Sequence, residues 1–263
     1  MSATNMAEKF KIVKSILISQ PEPQNKTPYH DLAKKYELKI DYRPFIFVEA
    51  VNEKEFRKQR IRIDEFPCVI FTSRNAIDNF FRLAEETRCK ISPDTKYFCQ
   101  TETIANYLQK FIIYRKRKVF VGTKNIEDLQ NYFVKHREGN RFLLPMSNLG
   151  SKPIIEYLEK LGIKYQESVM YKTLPSDLSD LADITYDVLV FFNALEIYSL
   201  YSNFPDFKQN ETRLAGFGAS TIQAIEERGL TINIKAPAAD APSMHMALDN
   251  YLQKSNVLAP QNV

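Results

Sequence analysis

What the sequence lacks excludes several classes of protein. The 263-residue chain has only 7 glycines and 13 prolines, which excludes collagen-like and low-complexity sequences. Its three cysteines, Cys68, Cys89 and Cys99, are odd in number and widely spaced, which argues against a disulfide framework or a zinc site and favours a reducing cytosol. No stretch approaches the ~20 apolar residues that span a bilayer, and the first apolar run, residues 16–18, is too short for a signal peptide. We therefore expect a cytoplasmic protein without a membrane segment.

The charge is only mildly basic. With 36 Lys and Arg against 32 Asp and Glu, the formal net charge is +4, which suits a site for a polyanionic small molecule but does not by itself indicate nucleic acid. The basic run at residues 115–118 (RKRK) precedes an apolar strand, so a solvated strand edge is the preferred interpretation and a nucleic-acid patch the alternative. His30, His136 and His245 are far apart and have no metal-ligand companions, so we interpret them as surface or packing residues.

Short apolar strands alternate with helical segments along the chain, which predicts βαβ units and parallel sheets. Thr27 followed by Pro28 predicts one helix start, and Asn52 with Glu55 three residues later predicts another. Residues 38–48 and 164–171 are predicted to be extended, and residues 1–10 and 255–263 to be polar tails. About ten strands exceed one doubly wound sheet of this length, so we expect two sheets. The predicted strands are 14–19, 68–71, 96–99, 118–121, 141–144, 188–192, 213–217 and 231–234, and the predicted helices include 75–86, 102–110, 126–136, 152–161, 195–201, 221–227 and 242–253.

A weak internal repeat supports two halves of similar architecture. Residues 69–76 (VIFTSRNA) and 189–194 (LVFFNA) both lead into an apolar helix, and each is followed 25 to 27 residues later by another strand, polar turn and helix. The alternative is that all βα units resemble one another.

Candidate binding groups lie in the turns that follow the strands. Ligands of open parallel sheets bind beyond the carboxyl ends of the strands, where helix N-termini favour anions. The turns at 72–75, 100–103, 121–124, 145–152, 193–196, 218–221 and 236–243 are rich in Thr, Ser, Asn, Arg, Lys and Gly, which hydrogen-bond carboxylates or phosphates. For any single turn, helix capping is the preferred explanation, and the set of turns is more informative than any one of them. No dinucleotide-binding, Walker or nucleophile-elbow motif is present.

The order of these turns resembles the uroporphyrinogen-III synthase family. The matching stretches are VIFTSRNAIDNFF (69–81), SVMYKT (168–173), VLVFFNALEIYSL (188–200), LAGFGASTIQAIEERGL (214–230) and KAPAADAPSMHMALDNYL (235–252). The resemblance implies two parallel-sheet α/β domains joined by two extended connectors, with the second domain inserted into the first. The domains would be 1–43 plus 173–263 and 46–170, and the connectors would lie near 44–48 and 168–172.

The resemblance also implies an activity. Members of the family close the linear tetrapyrrole hydroxymethylbilane to uroporphyrinogen III, with loss of water and inversion of ring D, as monomers and without a metal or organic cofactor. The substrate carries two carboxylates on each ring, which turns rich in N–H, hydroxyl and amide groups are suited to bind. By resemblance, Tyr171 is the expected catalytic residue, placed to help the departing hydroxyl. The expected substrate-binding residues, taken from the resemblance and the turns together, are Thr72, Ser73, Asn75, Thr101, Ser147, Asn193, Gly218, Ser220 and Thr221.

Three departures from the family pattern leave a second function open. Asn193 stands where a hydroxyl residue is usual, Glu196 places a negative charge near a site for carboxylates, and Ala238-Ala239-Asp240 replaces a Pro-Thr pair. The alternative is therefore a catalytically altered relative that uses the same fold for another ligand or a protein partner. A hinge-type binding protein and a nucleic-acid module built on residues 115–118 are further alternatives.

Overall fold

The computed structural model describes residues 11–258, apart from the side chain of Leu258. The predicted tail at 1–10 and residues 259–263 of the predicted tail at 255–263 lie outside the described residues. The chain divides into two compact units, the first formed by Met1–Phe47 with Leu174–Val263 and the second by Val48–Thr173. The chain enters the second unit within one strand, Ile46–Ala50, and leaves it within another, Tyr165–Pro175.

The described elements alternate along the chain as α/β units do. In chain order the strands are β1 (Ser15–Ile18), β2 (Lys39–Tyr42), β3 (Ile46–Ala50), β4 (Cys68–Phe71), β5 (Lys96–Cys99), β6 (Val119–Val121), β7 (Phe142–Ser147), β8 (Tyr165–Pro175), β9 (Val188–Phe191), β10 (Arg213–Phe217) and β11 (Ile232–Ala236). The helices are α1 (Pro28–Tyr36), α2 (Glu53–Lys58), α3 (Arg74–Glu86), α4 (Glu102–Leu108), α5 (Gln130–His136), α6 (Lys152–Lys160), α7 (Ala194–Asn203), α8 (Ala219–Glu227) and α9 (Met244–Leu252).

The first unit contains a five-stranded sheet in the order β11-β10-β9-β1-β2, in which every neighbouring pair is parallel. Successive side chains of β9 point to opposite faces: Val188 and Val190 pack with residues of α1 and α9, whereas Leu189 and Phe191 pack with residues of α7 and α8. Because helices cover both faces, the central strand β9 is continuously apolar and buried, as inner parallel strands usually are.

The second unit contains a six-stranded sheet in the order β3-β8-β7-β4-β5-β6. The four pairs from β8 to β6 are parallel. Val69 and Phe71 of β4 pack with residues of α3 and α4, whereas Cys68 and Ile70 pack with residues of α5 and α6. The predicted α/β class with two parallel sheets is therefore confirmed, and in each unit the carboxyl ends of the parallel strands meet at one edge.

Local capping chemistry sets several of the predicted helix starts. Thr27 caps α1 with Pro28 as the first helical residue, and the Asn52 side chain accepts the Glu55 backbone N–H at 2.9 Å at the start of α2. A cap of this kind is worth about 1 kcal/mol, because it satisfies a helical N–H that has no partner within the helix.

The structure corrects three boundaries. The predicted helix 126–136 begins as a 3₁₀ helix, Ile126–Leu129, before α5. The predicted strand 141–144 continues to Ser147, because β7 keeps pairing with β8 through a register shift. Part of the predicted C-terminal tail is ordered: Gln253–Leu258 forms a π-helical segment, and the Asn256 amide bonds both the N–H and the C=O of Val13, at 2.9 and 2.7 Å.

Candidate functional site

A pair of hydroxyl groups lies at the carboxyl edge of the sheet in the second unit. Ser73 lies in the turn after β4, and its Oγ is 3.0 Å from the hydroxyl oxygen of Tyr171 in β8. The two residues are 98 positions apart in sequence, so the sheet brings them together. Tyr171 is 8% exposed, and its ring belongs to the core that packs on α3 and α4. The phenol body is therefore fixed by packing while its hydroxyl keeps a polar partner.

Ser73 has a second contact that fixes its orientation. It is the N-cap of α3, and its Oγ accepts the Ala76 backbone N–H at 3.1 Å. One lone pair is thus committed to the helix, and the hydroxyl proton remains free to point at the Tyr171 oxygen. In that arrangement the Tyr171 O–H can donate to a third group.

The backbone around Tyr171 is held by the residue that follows β7. The Asn148 backbone N–H donates to the Tyr171 carbonyl at 3.1 Å, and the Asn148 Oδ1 accepts the Thr173 N–H at 2.8 Å. Ser147, the last residue of β7, is the strand partner of Tyr171, and its Oγ accepts the Leu149 N–H at 3.3 Å. The expected residue Ser147 thus lies in the strand position beside the expected catalytic tyrosine.

The other expected residues of this unit lie in the turns along the same edge. Thr72 is half-buried between Phe71 and Ser73, and Asn75 is exposed in the first turn of α3. Thr101 caps α4, with its Oγ1 accepting the Ile104 N–H at 3.4 Å. Thr101 and Ser73 thus follow adjacent parallel strands, β5 and β4.

In the first unit, the turn after β10 keeps a helix N-terminus without a side-chain cap. Gly218 has φ +86°, a conformation that favours glycine, and its N–H donates to the Ala236 carbonyl at 2.6 Å. Ser220 is exposed, whereas Thr221 is 1% exposed and its Oγ1 has no hydrogen-bond partner among the described residues. The expected roles of Gly218 and Ser220 suit an accessible turn, but Thr221 lies beneath it.

The structure corrects the interpretation of Glu196. This side chain is 3% exposed, and its carboxylate accepts hydrogen bonds from the Ser19 hydroxyl at 2.5 Å and from the N–H groups of Phe192 and Asn193 at 2.7 and 3.2 Å. Burial raises the pKa of this carboxyl, and the three donors oppose the rise. Glu196 was expected only as a negative charge near a site for carboxylates, whereas its carboxylate is bound internally by the turn and by Ser19. Asn193 completes the capping box, and its Oδ1 accepts the Leu195 N–H at 3.0 Å.

Asp128 in the second unit makes the same kind of contact, which the sequence analysis missed. Its Oδ2 accepts the backbone N–H groups of Thr123, Lys124 and Asn125 and the Thr123 hydroxyl, at 2.6 to 3.2 Å. These donors hold the pKa of the Asp128 carboxyl far below its ordinary value. The sequence signal for this contact was a capping box, in which Asp128 follows the N-cap residue Asn125 by three positions.

Comparison with known protein families is decisive. The family described as uroporphyrinogen-III synthase HemD matches residues 28–245, which is most of the chain. The chain belongs to the uroporphyrinogen-III synthase family. It is thereby placed with enzymes of tetrapyrrole and haem biosynthesis. No sequence among curated proteins matches it significantly.

Solved structures of the family share the fold at low sequence identity. A mutant uroporphyrinogen III synthase from the extremely thermophilic bacterium Thermus thermophilus matches with a TM-score of 0.60 and 16% identity, over 92% of this chain and 99% of that one. The uroporphyrinogen-III synthetase of Helicobacter pylori matches with a TM-score of 0.59 and 17% identity, over 91% and 99% of the two chains. At such identities the likeness shows a common fold.

Two kinds of feature are absent from residues 11–258, the part of the chain that the structure describes. No helix there is both long and apolar enough to cross a bilayer. No group of three or more His, Cys, Asp and Glu side chains there is arranged to hold a metal ion. His136 packs against Phe98 and Phe120, and His30 takes part in the cap of α1.

Proposed function

We propose that this chain is a working uroporphyrinogen-III synthase, a lyase that converts hydroxymethylbilane to uroporphyrinogen III. In this reaction the terminal hydroxyl leaves as water, ring D is inverted and the macrocycle closes. The observation that carries the proposal is the hydroxyl pair of Ser73 and Tyr171, 3.0 Å apart, in a chain that belongs to this family.

The pair supplies a proton donor for the departing hydroxyl. Tyr171 donates its O–H to the substrate hydroxyl, and Ser73 donates in turn to the phenol oxygen, which stabilises the charge that develops there. Departure of water leaves an electrophilic carbon on the substrate. The far end of the chain forms the new C–C bond with it, and the proton released as the attacking ring returns to a neutral pyrrole balances the proton that Tyr171 donated. Both ends must be held close together, and such positioning accounts for a large share of the rate in reactions of this kind.

The residues that bind the substrate are proposed on the same basis. Thr72, Ser73, Asn75, Thr101 and Ser147 would hold carboxylates at the carboxyl edge of the second unit. Gly218 and Ser220 would do so in the first unit, where the start of α8 has no side-chain cap. We propose that Thr221, which is buried, packs beneath that turn and does not contact the substrate. We propose that Asn193 caps α7 and that only its exposed atoms can contact the substrate. No metal or organic cofactor is proposed.

A coupled assay tests the activity. The purified protein would receive hydroxymethylbilane generated in situ, and the oxidised porphyrins would be separated by isomer. Uroporphyrin III above the no-enzyme control supports the proposal, because uncatalysed closure gives isomer I. Isomer I alone from a folded protein contradicts it. Size-exclusion chromatography with light scattering tests the proposed monomer, and cell fractionation tests the proposed cytoplasmic location.

One observation favours the alternative of a catalytically altered relative. The N–H groups of the turn after β9 already bind the Glu196 carboxylate, so they are not available to a substrate carboxylate. With an altered relative, only the isomer I of uncatalysed closure would be found, and the remaining turns would bind another ligand or a protein partner. The Asn193→Ser, Glu196→Gly double variant separates the cases: a sharp rise in isomer III formation over the wild type supports the alternative, whereas a wild type that forms isomer III and a variant that forms no more supports the synthase.

A further inference from the structure

A basic recess in the second unit lies beside the Tyr171 backbone. It has a volume of about 670 Å³ and is lined by the ammonium-bearing side chains of Lys54, Lys58 and Lys172 and by the amides of Asn52, Gln59 and Asn148. Glu55 is the one carboxylate among its described lining residues, and Val169 completes the lining. We call this feature the lysine recess. Neither the family match nor the site described above assigns it a role.

The backbone wall of the recess is held rigidly. The Gln59 amide bonds both the carbonyl and the N–H of Val169, at 2.7 and 2.9 Å. Asn148 bonds the backbone on both sides of Lys172, through the Tyr171 carbonyl and the Thr173 N–H. The residue that carries the Lys172 side chain is therefore fixed in position, directly after the expected catalytic residue.

The charges in the recess are unbalanced. Lys172 forms an ion pair with Glu55, with its Nζ 2.8 and 3.0 Å from the two carboxylate oxygens, and Glu55 raises the pKa of Lys172. Glu49 also acts on Lys172 electrostatically, although it does not line the recess. Lys54 and Lys58 are exposed one helical turn apart on α2, and among the described residues neither forms an ion pair. Like charges at this spacing repel each other, so an added anion would relieve the repulsion.

We propose that the lysine recess binds a carboxylate side chain of the tetrapyrrole on the ring next to the reacting end. In the free protein, Glu55 forms an ion pair with Lys172. A substrate carboxylate would bind Lys172 beside Glu55 or in its place. Lys54 and Lys58, on α2, would add positive charge around that carboxylate. The proposal rests on the proposed synthase function. It makes Lys172 a specificity-determining residue, because it ties a carboxylate of the substrate to the strand that carries Tyr171.

Four variants test the recess. Lys172→Gln, Lys58→Gln and Lys54→Gln each remove one positive charge, and Glu55→Gln removes the internal competitor. Lys164→Gln is the matched control, because Lys164 is an exposed lysine of the same unit that does not line the recess. In the isomer III assay we expect Lys172→Gln to raise KM about tenfold, a change that one charge-assisted contact can produce, with kcat largely retained. Glu55→Gln is expected to lower KM roughly twofold to fivefold, and Lys164→Gln to change it little.

A binding measurement separates this inference from the proposed activity. Uroporphyrin I, which carries the same two carboxylates per ring, would be titrated into each protein by fluorescence at low and high salt. Weaker binding by Lys172→Gln and Lys58→Gln than by Lys164→Gln, with a smaller salt dependence, supports the recess whether or not the wild type turns over. Equal affinity of the wild type and the recess variants overturns it. A wild type that forms no isomer III overturns the proposed function instead.

Discussion

Replacing Glu196 by alanine tests how the first unit is held together at its carboxyl edge. The side chain joins the end of β1, through Ser19, to the turn between β9 and α7, through Phe192 and Asn193. The substitution leaves two backbone N–H groups and one hydroxyl without their acceptor in a site that is 3% exposed. Glutamine is the matched control, since its amide oxygen can still accept the backbone N–H groups.

The magnitude follows from the contacts that are lost. Hydrogen bonds to a charged acceptor contribute about 1.5–3 kcal/mol each, but relief of the buried charge offsets part of their sum. We therefore expect Glu196→Ala to destabilise the first unit by about 2–4 kcal/mol and Glu196→Gln by about 1 kcal/mol. A loss of about 3 kcal/mol would lower the urea midpoint by about 1–1.5 M at an m-value of about 2–3 kcal/mol/M.

The pH dependence provides a second readout. Because burial raises the pKa of Glu196, the folded state binds more protons than the unfolded state between the ordinary and the raised pKa. The contribution of Glu196 to stability therefore falls as pH rises through that window and is most favourable below it. The difference in stability between the wild type and Glu196→Gln should shrink or change sign across this range.

Urea unfolding followed by circular dichroism would measure the midpoints, and hydrogen exchange of the α7 amides would localise the effect to the first unit. A loss below about 0.5 kcal/mol for Glu196→Ala, or equal losses for alanine and glutamine, would refute the reasoning, because either result means that the carboxylate contacts contribute nothing specific.

Three further predictions concern the second unit. Tyr171→Phe should lower kcat for isomer III about 100-fold, the usual worth of a proton donor, while the urea midpoint stays near that of the wild type; an unchanged kcat would remove Tyr171 from the reaction. Gly122→Ala should destabilise the unit by about 2 kcal/mol or more, because the added Cβ would lie 2.5 Å from the Gln100 carbonyl oxygen and 2.7 Å from that of Asn125; a midpoint equal to that of the wild type would contradict this. Burial raises the pKa of Cys68 to about 11 and of Cys99 to about 12, so a thiol reagent at about pH 8 should modify Cys89 first and the other two only on unfolding; three equally fast reactions would contradict the burial.

The sequence predicts best what is decided locally. The predicted helix starts at Thr27 and Asn52 each involve a residue three positions later, so a window of a few residues contains the whole interaction. The apolar strands are also predicted correctly, since strands covered on both faces are continuously apolar. The strand ends are predicted less accurately because pairing with a neighbouring strand sets them. β7 continues to Ser147 because β8 lies beside it.

Contacts between distant segments account for what the sequence analysis missed. Glu196 was interpreted as a negative charge near a carboxylate site, because its partner Ser19 is 177 residues away in sequence. Glu55 read as part of a helix cap, whereas its carboxylate binds Lys172, 117 residues later. The signal for the lysine recess was present as the lysine after Tyr171 and the pair Lys54 and Lys58 at helical spacing, but only the fold places α2 beside β8.

The internally bound carboxylates of Asp128 and Glu196 exclude one turn in each unit as a binding site for substrate carboxylates. An N–H group that already binds Asp128 or Glu196 cannot bind a second anion without displacing the first, and the bound carboxylate repels any other nearby. In the second unit this excludes the turn after β6 and leaves the turns after β4, β5 and β7, which carry Ser73, Thr101 and Ser147. In the first unit it closes the turn after β9 and leaves the uncapped start of α8. A tetrapyrrole with carboxylates on every ring is therefore expected to use these remaining turns, and substitutions there should affect KM more than equal substitutions at Asn193 or Lys124.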